Sequence, residues 1–154
     1  GWFLADSIPG DAEPIYRDEN CEIDKYYEYQ VQAKDDAGHL SELPLPLSGI
    51  IPFKPELFVV KDLTVKLNRE KSEIQLEWTY DQPNLKGWDY PYEFYIYKSI
   101  GKNNVDSYQL LTNDQLSFSD TDFIEGSLCN YAVKIQFGNG RSGALSSVKS
   151  VLIR

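Results

Sequence analysis

The sequence has few of the residues on which enzymes and metal sites depend. It contains one histidine, His39, and two cysteines, Cys21 and Cys129, which form no CxxC pair. Nucleophilic triads need a histidine as the base, and structural zinc sites need a set of Cys and His ligands. His39 directly follows Gly38, so an exposed turn residue is its expected role. We predict that the protein is not an enzyme and holds no metal ion and no cofactor.

Positive charge and long apolar runs are also scarce. Lys and Arg number 15 against 24 Asp and Glu, which gives a net charge of -9. Such a surface repels phosphate backbones and anionic membranes at long range. No apolar run approaches the roughly 18 residues of a membrane helix, and the N-terminus lacks the pattern of a signal peptide. We therefore predict no nucleic-acid partner and no membrane insertion, and we expect the chain to be part of a longer protein.

Aromatic residues in alternating patterns are abundant. They make up 14% of the chain and include eleven tyrosines. Apolar and polar side chains alternate over residues 74–80 and 131–137, which is the period of a half-buried strand. Turn-forming residues recur at short intervals, as at residues 82–84, 101–104 and 139–140, and no segment sustains a helical period. The pattern predicts an all-β fold.

The sequence matches itself at an offset of 102 residues, without a gap, over residues 16–43 and 118–145. The identities are Asp18 with Asp120, Tyr29 with Tyr131, Val31 with Val133, Gly38 with Gly140 and Leu43 with Leu145. A period near 100 residues is the size of one β-sandwich domain. We predict two tandem copies, the second complete over residues 52–154 and the first represented only by its C-terminal half, residues 1–51.

The repeat places other residues in context. Cys21 and Cys129 fall at non-equivalent positions of different copies, so we expect two free thiols. The joint between the copies, residues 51–55, contains two prolines and should be stiff. Pro44 and Pro46 lie in the last predicted strand of the first copy, and proline cannot donate to a ladder, so this strand should lie at a sheet edge.

These segments resemble the fibronectin type III superfamily. In the second copy, Leu76-Glu77-Trp78 is similar to the family's B strand with its core tryptophan, and residues 94–98 are similar to strand C. Residues 118–122 resemble strand E and its turn, and residues 126–135 resemble the run into strand F. In the first copy, residues 27–42 resemble strand F, the FG turn and the start of strand G. The resemblance implies tandem antiparallel β-sandwiches, the first incomplete, with strands C′, E, F and G in residues 1–51.

The alternation and the resemblance together predict the structural core. Its expected members are Trp78, Tyr27, Tyr29, Tyr131 and Val133. The family's corner tyrosine corresponds to Tyr27 in the first copy, whereas Cys129 stands at that place in the second. A buried cysteine fills volume but cannot replace the hydroxyl-to-backbone hydrogen bond. The corner before strand F should therefore be less firmly tied in the second copy.

An aromatic cluster is the candidate ligand-binding site. Trp88, Tyr90 and Tyr92 lie in the predicted connection between strands B and C, near one end of the sandwich. Exposed rings at such a place stack on sugars or contact peptides. The same rings could instead pack against the neighbouring copy, or Tyr92 could begin strand C with its ring in the core. The sequence leaves these alternatives open.

Two further patterns have a conformational explanation. Paired carboxylates, Asp120 with Asp122 and Asp18 with Glu19, could bind calcium or carry acid–base chemistry, but aspartate after a strand most often caps a turn. Asn139-Gly140 fits the positive φ angles of a tight hairpin turn. Neither pattern predicts a functional site.

As the resemblance implies, modules of this kind act as spacers and interaction surfaces in secreted or cell-surface proteins. We expect a non-catalytic module of a larger extracellular or cell-surface multidomain protein, with a bacterial setting favoured. One alternative is a module that binds a polysaccharide or a protein through the aromatic cluster. Another is the C-terminal accessory portion of a polysaccharide-degrading enzyme.

The incomplete first copy predicts a partner. Residues 1–51 cannot close a sandwich, because their alternating apolar residues would present a sheet face with no opposing sheet. We expect an upstream segment or a partner chain to complete this copy; a second copy of the chain or the second module folding back would be other ways to cover it.

Overall fold

A computed structural model describes residues 1–101, 104–112 and 114–154, so the turn predicted at residues 101–104 falls partly outside the described residues. The chain divides into two compact units. The first unit comprises residues 1–52 and 85–87, and the second comprises residues 53–84 and 88–154. Within the described ranges, no helix has the length and apolar character needed to cross a membrane.

The first unit contains one small antiparallel sheet. Strand β1, Tyr26–Tyr29, pairs with strand β2, Leu47–Ile50. An isolated parallel bridge joins Ile23 to Ile51. Pro44 and Pro46 precede β2, so neither proline interrupts the ladder.

The second unit is a sandwich of two antiparallel sheets. It begins with a 3-10 helix, Pro55–Leu57, followed by seven strands. The strands are β3 (Lys61–Asn68), β4 (Glu73–Thr79), β5 (Tyr92–Ile100), β6 (Asp106–Thr112), β7 (Ser117–Asp120), β8 (Leu128–Phe137) and β9 (Lys149–Leu152). One sheet has the order β3-β4-β7, and the other has the order β6-β5-β8-β9. The all-β fold predicted from the alternating sequence is confirmed.

Alternating side chains of the second unit fill the space between its sheets. The inward residues include Ile74, Leu76 and Trp78 from β4, Phe94 and Ile96 from β5, and Tyr131, Val133 and Ile135 from β8, all buried. The ring of Trp78 packs edge-on against Phe94, with ring centroids 5.5 Å apart. Each such side chain stabilises the fold by about 1.5–3 kcal/mol through removal of apolar surface from water.

Backbone hydrogen bonds of the first unit recur in the second unit at positions 102 residues later. The β1–β2 register runs from 26↔50 to 29↔47, and the β8–β9 register runs from 128↔152 to 131↔149. The turns after β1 and β8 agree as well, because Gly38 and Gly140 both have φ +89°. The Gly38 N–H donates to Asp35 O at 3.0 Å, and the Gly140 N–H donates to Phe137 O at 3.1 Å.

The first unit nevertheless has two strands where four were predicted. The segments at the positions of strands F and G form β1 and β2, whereas residues 1–25 form no strand. In the second unit, the equivalent of strand E is β7, and its ladder partner is β4. No counterpart of β4 exists in residues 1–52, so residues 15–18 have nothing with which to form a ladder.

Candidate functional site

Trp88 lies inside the second unit rather than on its surface. Its side chain is only 5% exposed. The indole stacks on Phe53 with centroids 5.0 Å apart, and it meets Phe137 edge-on at 5.2 Å and Phe58 at 5.4 Å. Phe53 and Phe58 belong to the segment that enters β3, so the start of the second unit covers Trp88. A ring enclosed in this way cannot stack on a sugar.

Tyr90 and Tyr92 have different environments. Tyr90 is 38% exposed, and its ring meets Trp88 edge-on at 5.0 Å. Tyr92 is half-buried at the start of β5, where its ring packs against Tyr80 at 5.3 Å and Phe94 at 5.8 Å. The cluster is therefore largely an extension of the core, and Tyr90 is its accessible member.

The packing at this end depends on a close approach of two backbones. A Cβ added to Gly143 would lie 1.9 Å from the carbonyl oxygen of Phe58. The neighbouring Ala144 N–H donates to the carbonyl of Pro55 at 3.0 Å, which ties the 3-10 helix to the segment after β8. Only glycine fits at position 143, because any side chain would push this segment away from Phe58.

A buried ion pair is the main polar feature of the second unit. Lys98 Nζ lies 2.6 Å from Asp120 Oδ2, and both side chains are almost completely buried. The Tyr131 hydroxyl donates to Asp120 Oδ2 at 2.6 Å, and the Tyr108 hydroxyl donates to Asp120 Oδ1 at 2.8 Å. Asp122 contributes its N–H to Asp120 Oδ1 at 2.9 Å. Four donors therefore satisfy one carboxylate, which compensates for its removal from water.

Lys98 is held by more than its carboxylate partner. Its Nζ also donates to the carbonyl of Asp122 and lies 4.5 Å from the centroid of the Tyr108 ring. These contacts use the hydrogen-bonding capacity of the ammonium group inside the protein. The pair has the surroundings of a structural element rather than of a reactive one.

The electrostatics of Asp120 follow from these bonds. Burial acts to raise the pKa of Asp120, but the hydrogen bonds from Lys98 and Tyr131 outweigh it, so the pKa lies below its usual value. Burial and the bond to Asp120 raise the pKa of Tyr131 well above its ordinary range. Asp120 is therefore the ionised acceptor and Tyr131 the neutral donor at neutral pH.

The first unit repeats part of this arrangement. The Tyr29 hydroxyl donates to Asp18 Oδ2 at 2.7 Å, and the Asn20 N–H donates to Asp18 Oδ1 at 2.9 Å. Cys21 Sγ lies 3.2 Å from the Tyr29 hydroxyl oxygen, and Lys86 Nζ donates to Asn20 Oδ1 at 2.6 Å. The hydrogen bonds from Tyr29 and Asn20 hold the pKa of Asp18 below its usual value. In both units the aspartate closes a turn with the residue two positions on.

The corner before strand F differs between the units, as the sequence suggested. The Glu22 N–H donates to the Tyr27 hydroxyl oxygen at 2.9 Å, which gives the first unit a side-chain-to-backbone tie. In the second unit, buried Cys129 has the Ser127 hydroxyl 3.8 Å from its sulfur instead. Both Cys21 and Cys129 are free thiols. The bond to the backbone is thus present where tyrosine stands and replaced by a weak contact where cysteine stands.

The predicted core residues are placed unequally. Trp78, Tyr131 and Val133 are fully enclosed in the second unit. Tyr27 and Tyr29 are half-buried in the first unit. Val31, the counterpart of Val133, is 80% exposed, whereas Val133 is 0% exposed. The face that is a core in the second unit is open in the first.

The described side chains contain no group of three or more His, Cys, Asp or Glu arranged to hold a metal ion. Asp120 and Asp122, which the sequence offered as a possible calcium or acid–base pair, do not line one cavity together: Asp122 lines a pocket with Lys98 and Tyr108, whereas Asp120 is buried. Asp120 accepts from Lys98 and from the Asp122 N–H, so the turn role explains this pair.

Sequence reasoning missed Lys98, although a signal for it was present. Phe94, Ile96 and Lys98 have the same parity along β5, so the alternation that buries the first two also points the lysine inward. An inward lysine requires a buried anion, and Asp120 was already marked by its identity with Asp18. The tyrosine identity at positions 29 and 131 belongs to the same network.

Comparisons with known proteins support the fold. No family model matches the sequence, and a search of curated proteins finds no match. Among solved structures, the FN1–FN3 domains of chicken CNTN1 superpose with a TM-score of 0.53 at 17% identity, over 90% of this chain and 44% of that one. Domains d3–d4 of the rat CD45 extracellular region give 0.52 at 10% identity, over 99% of this chain and 76% of that one.

A pectate lyase, PelI from Erwinia chrysanthemi in complex with tetragalacturonic acid, has a TM-score of 0.45 at 17% identity. The match covers 58% of this chain and 28% of the lyase, and a likeness at this score does not establish a shared fold. The other two structures establish that the chain has a fibronectin type III-like β-sandwich fold, as the sequence resemblance implied.

Proposed function

We propose that this fibronectin type III-like chain is a non-catalytic spacer and interaction module of a larger secreted or cell-surface multidomain protein. The observation that carries the proposal is that buried charged and phenolic groups of the second unit bond to one another. Lys98, Asp120 and Tyr131 bond to one another, and the rings around Trp88 pack on one another. Such an interior specifies a fold, because its carboxylate, ammonium and phenol groups are engaged with one another.

The repeat supports the same proposal. Ile51 O accepts from the Asp24 N–H in the first unit, and Phe53 already stacks on Phe58 in the second unit, with centroids 5.1 Å apart. One residue, Pro52, separates these two packed positions. Proline-rich connections act as semi-rigid spacers, which is consistent with a spacer role.

A binding function remains the second candidate, because Tyr90 is accessible and backed by Trp88. A supported, half-exposed tyrosine at the end of a sandwich is a common anchor for ligands. In this alternative, Tyr90 makes the contact, Trp88 holds its ring in place and Tyr92 anchors the neighbouring strand.

The two candidates are separated by affinity electrophoresis of the full chain in gels that contain polygalacturonate, xylan or hydroxyethylcellulose, with an assay for new reducing ends on the same mixtures. We expect no retardation and no reducing ends. Retardation that Tyr90→Ala abolishes and Tyr26→Ala retains would establish the binding module. Release of reducing ends by the purified chain would overturn the non-catalytic function.

A further inference from the structure

In the described residues one edge of β1 has no paired strand, whereas both edges of its counterpart β8 are paired. In the second unit, β8 pairs with β9 on one side and with β5 on the other. In the described part of the first unit, β1 pairs with β2 alone. The β1–β2 register reproduces the β8–β9 register, so the edge of β1 that β2 leaves free is the edge that β5 occupies beside β8. The second unit thus shows which element fits there.

The hydrogen-bond network around Asp18 also lacks one partner that the network around Asp120 has. Asp18 has a tyrosine donor and a backbone donor like those of Asp120, but in the described residues no lysine or arginine forms an ion pair with it. In the second unit the cation is Lys98, and it is supplied by β5 at the position paired with Tyr131. A strand of the β5 type could therefore supply both the absent ladder partner of β1 and a lysine in direct contact with Asp18.

Charge complementarity points in the same direction. Residues 1–52 carry eleven Asp and Glu against three Lys and Arg, whereas the rest of the chain carries thirteen against twelve. Most of the net charge of the protein therefore lies in the incomplete copy. Lys86, which is exposed and bonds to Asn20, acts electrostatically on Asp18, but in the described residues no Lys or Arg forms an ion pair with this carboxylate. A basic residue that enters beside Asp18 would therefore add a direct partner.

We propose that the open edge of β1 receives an antiparallel strand of the β5 type, supplied by the same polypeptide one repeat length upstream, with a lysine opposite Tyr29 that pairs with Asp18. The strand would place apolar side chains of the Phe94 and Ile96 kind beside Val31 on the same face of the sheet, as Ile96 lies beside Val133 in the second unit. The inference goes beyond the module function proposed above and stands whether or not Tyr90 binds a ligand.

The test uses the full chain and a labelled synthetic peptide with the sequence of residues 91–101. A second peptide carries methionine in place of the lysine at position 98. We expect the chain to bind the lysine peptide about tenfold more tightly than the methionine peptide, since a hydrogen bond to a charged group has about that effect. The preference should disappear in the Asp18→Asn chain. Failure of both peptides to bind, or a preference that survives Asp18→Asn, would overturn the proposal.

Hydrogen exchange locates the peptide. Amide protection should rise over residues 26–31 and stay unchanged over residues 128–133, where β5 is already in place. Protection that rises in β8 instead would mean strand exchange in the second unit and would refute docking on β1. The source is tested by the sequence of the natural polypeptide before Gly1, where we expect an alternating strand with an inward lysine or arginine. A natural polypeptide without such a strand would contradict the proposed source.

Discussion

The two units share local structure, but the first unit has one two-stranded sheet and the second has a complete β-sandwich. The ladder register, the glycine turn and the bond between aspartate and tyrosine are equivalent at an offset of 102 residues. Nevertheless β8 extends over ten residues and β1 over four. Two differences accompany the difference in length: β8 pairs with β5 on its far edge, and residues 132–137 are more apolar than their counterparts, residues 30–35. Strand length here follows both the pairing and the packing of the side chains.

The contrast also separates two kinds of polar interaction. The bond from tyrosine to aspartate lies within the C-terminal half of a copy and forms in both units. The ion pair with Lys98 needs the N-terminal half and forms only in the second unit. A half module therefore retains its turn and its corner, whereas the buried charge compensation depends on the complete sandwich.

Removal of the buried anion should produce the largest difference in stability between the two units. Asp120→Asn leaves Lys98 enclosed without its countercharge, and we expect the second unit to lose about 3–5 kcal/mol of unfolding free energy at pH 7. Because the pKa of Asp120 is lowered on folding, its contribution is present above the ordinary aspartate pKa and is lost as the pH falls. Urea unfolding at pH 7 and pH 3 should therefore show a gap between wild type and variant that narrows in acid.

The matched control is Asp18→Asn in the first unit. Lys86, the cation that acts on Asp18, is exposed and bonds to Asn20, so it is not left buried without a countercharge. The Tyr29 hydroxyl can donate to an amide oxygen as well, so we expect a much smaller change. Equal losses from the two substitutions would show that the tyrosine bond, and not the ion pair, makes the difference between the units.

The second prediction concerns the close approach of two backbone segments at Phe58 in the second unit. Gly143→Ala places a methyl group 1.9 Å from the Phe58 carbonyl oxygen, so the segment must move and the bond from Ala144 to Pro55 must weaken. We expect a loss of about 2–3 kcal/mol. Ser41→Ala at the equivalent place of the first unit is the control; it removes the exposed bond from the Ala33 N–H to Ser41 Oγ and should have a much smaller effect. Tryptophan fluorescence during guanidinium unfolding follows the change, and a wild-type midpoint for Gly143→Ala would contradict the close approach.

Much of the fold could be predicted from the sequence, because it depends on local periodicity. The alternation of residues 74–80 and 131–137 gave strands β4 and β8, and the self-match between residues 16–43 and 118–145 gave equivalences that the hydrogen bonds reproduce. The aspartate and tyrosine identities marked the positions of the polar network before its contacts were known.

The remainder depended on contacts between distant segments. Trp88 is buried because Phe53 and Phe58, some thirty residues earlier, lie over it, and no local pattern reports such a contact. Residues 1–25 are rich in Asp, Glu, Gly and Pro and form no strand, although the repeat relates residues 15–18 to β7. A repeat in the sequence cannot reveal whether a ladder partner is present. Lys98 is predictable from the sequence, because it lies on the same side of β5 as Phe94 and Ile96.

The finest comparison uses one pair of equivalent valines. Val133→Ala removes two methyl groups from a fully packed core, and we expect it to cost about 2 kcal/mol. Val31→Ala changes a side chain that is 80% exposed and should cost less than about 0.5 kcal/mol. Urea midpoints of the two variants give the difference directly. When the lysine peptide is bound, the cost of Val31→Ala should rise by a small amount and stay below that of Val133→Ala, because the added strand lies beside position 31 in the same sheet, whereas an opposing sheet also packs over Val133. A cost that the peptide leaves unchanged would mean that no apolar side chain of the added strand contacts Val31.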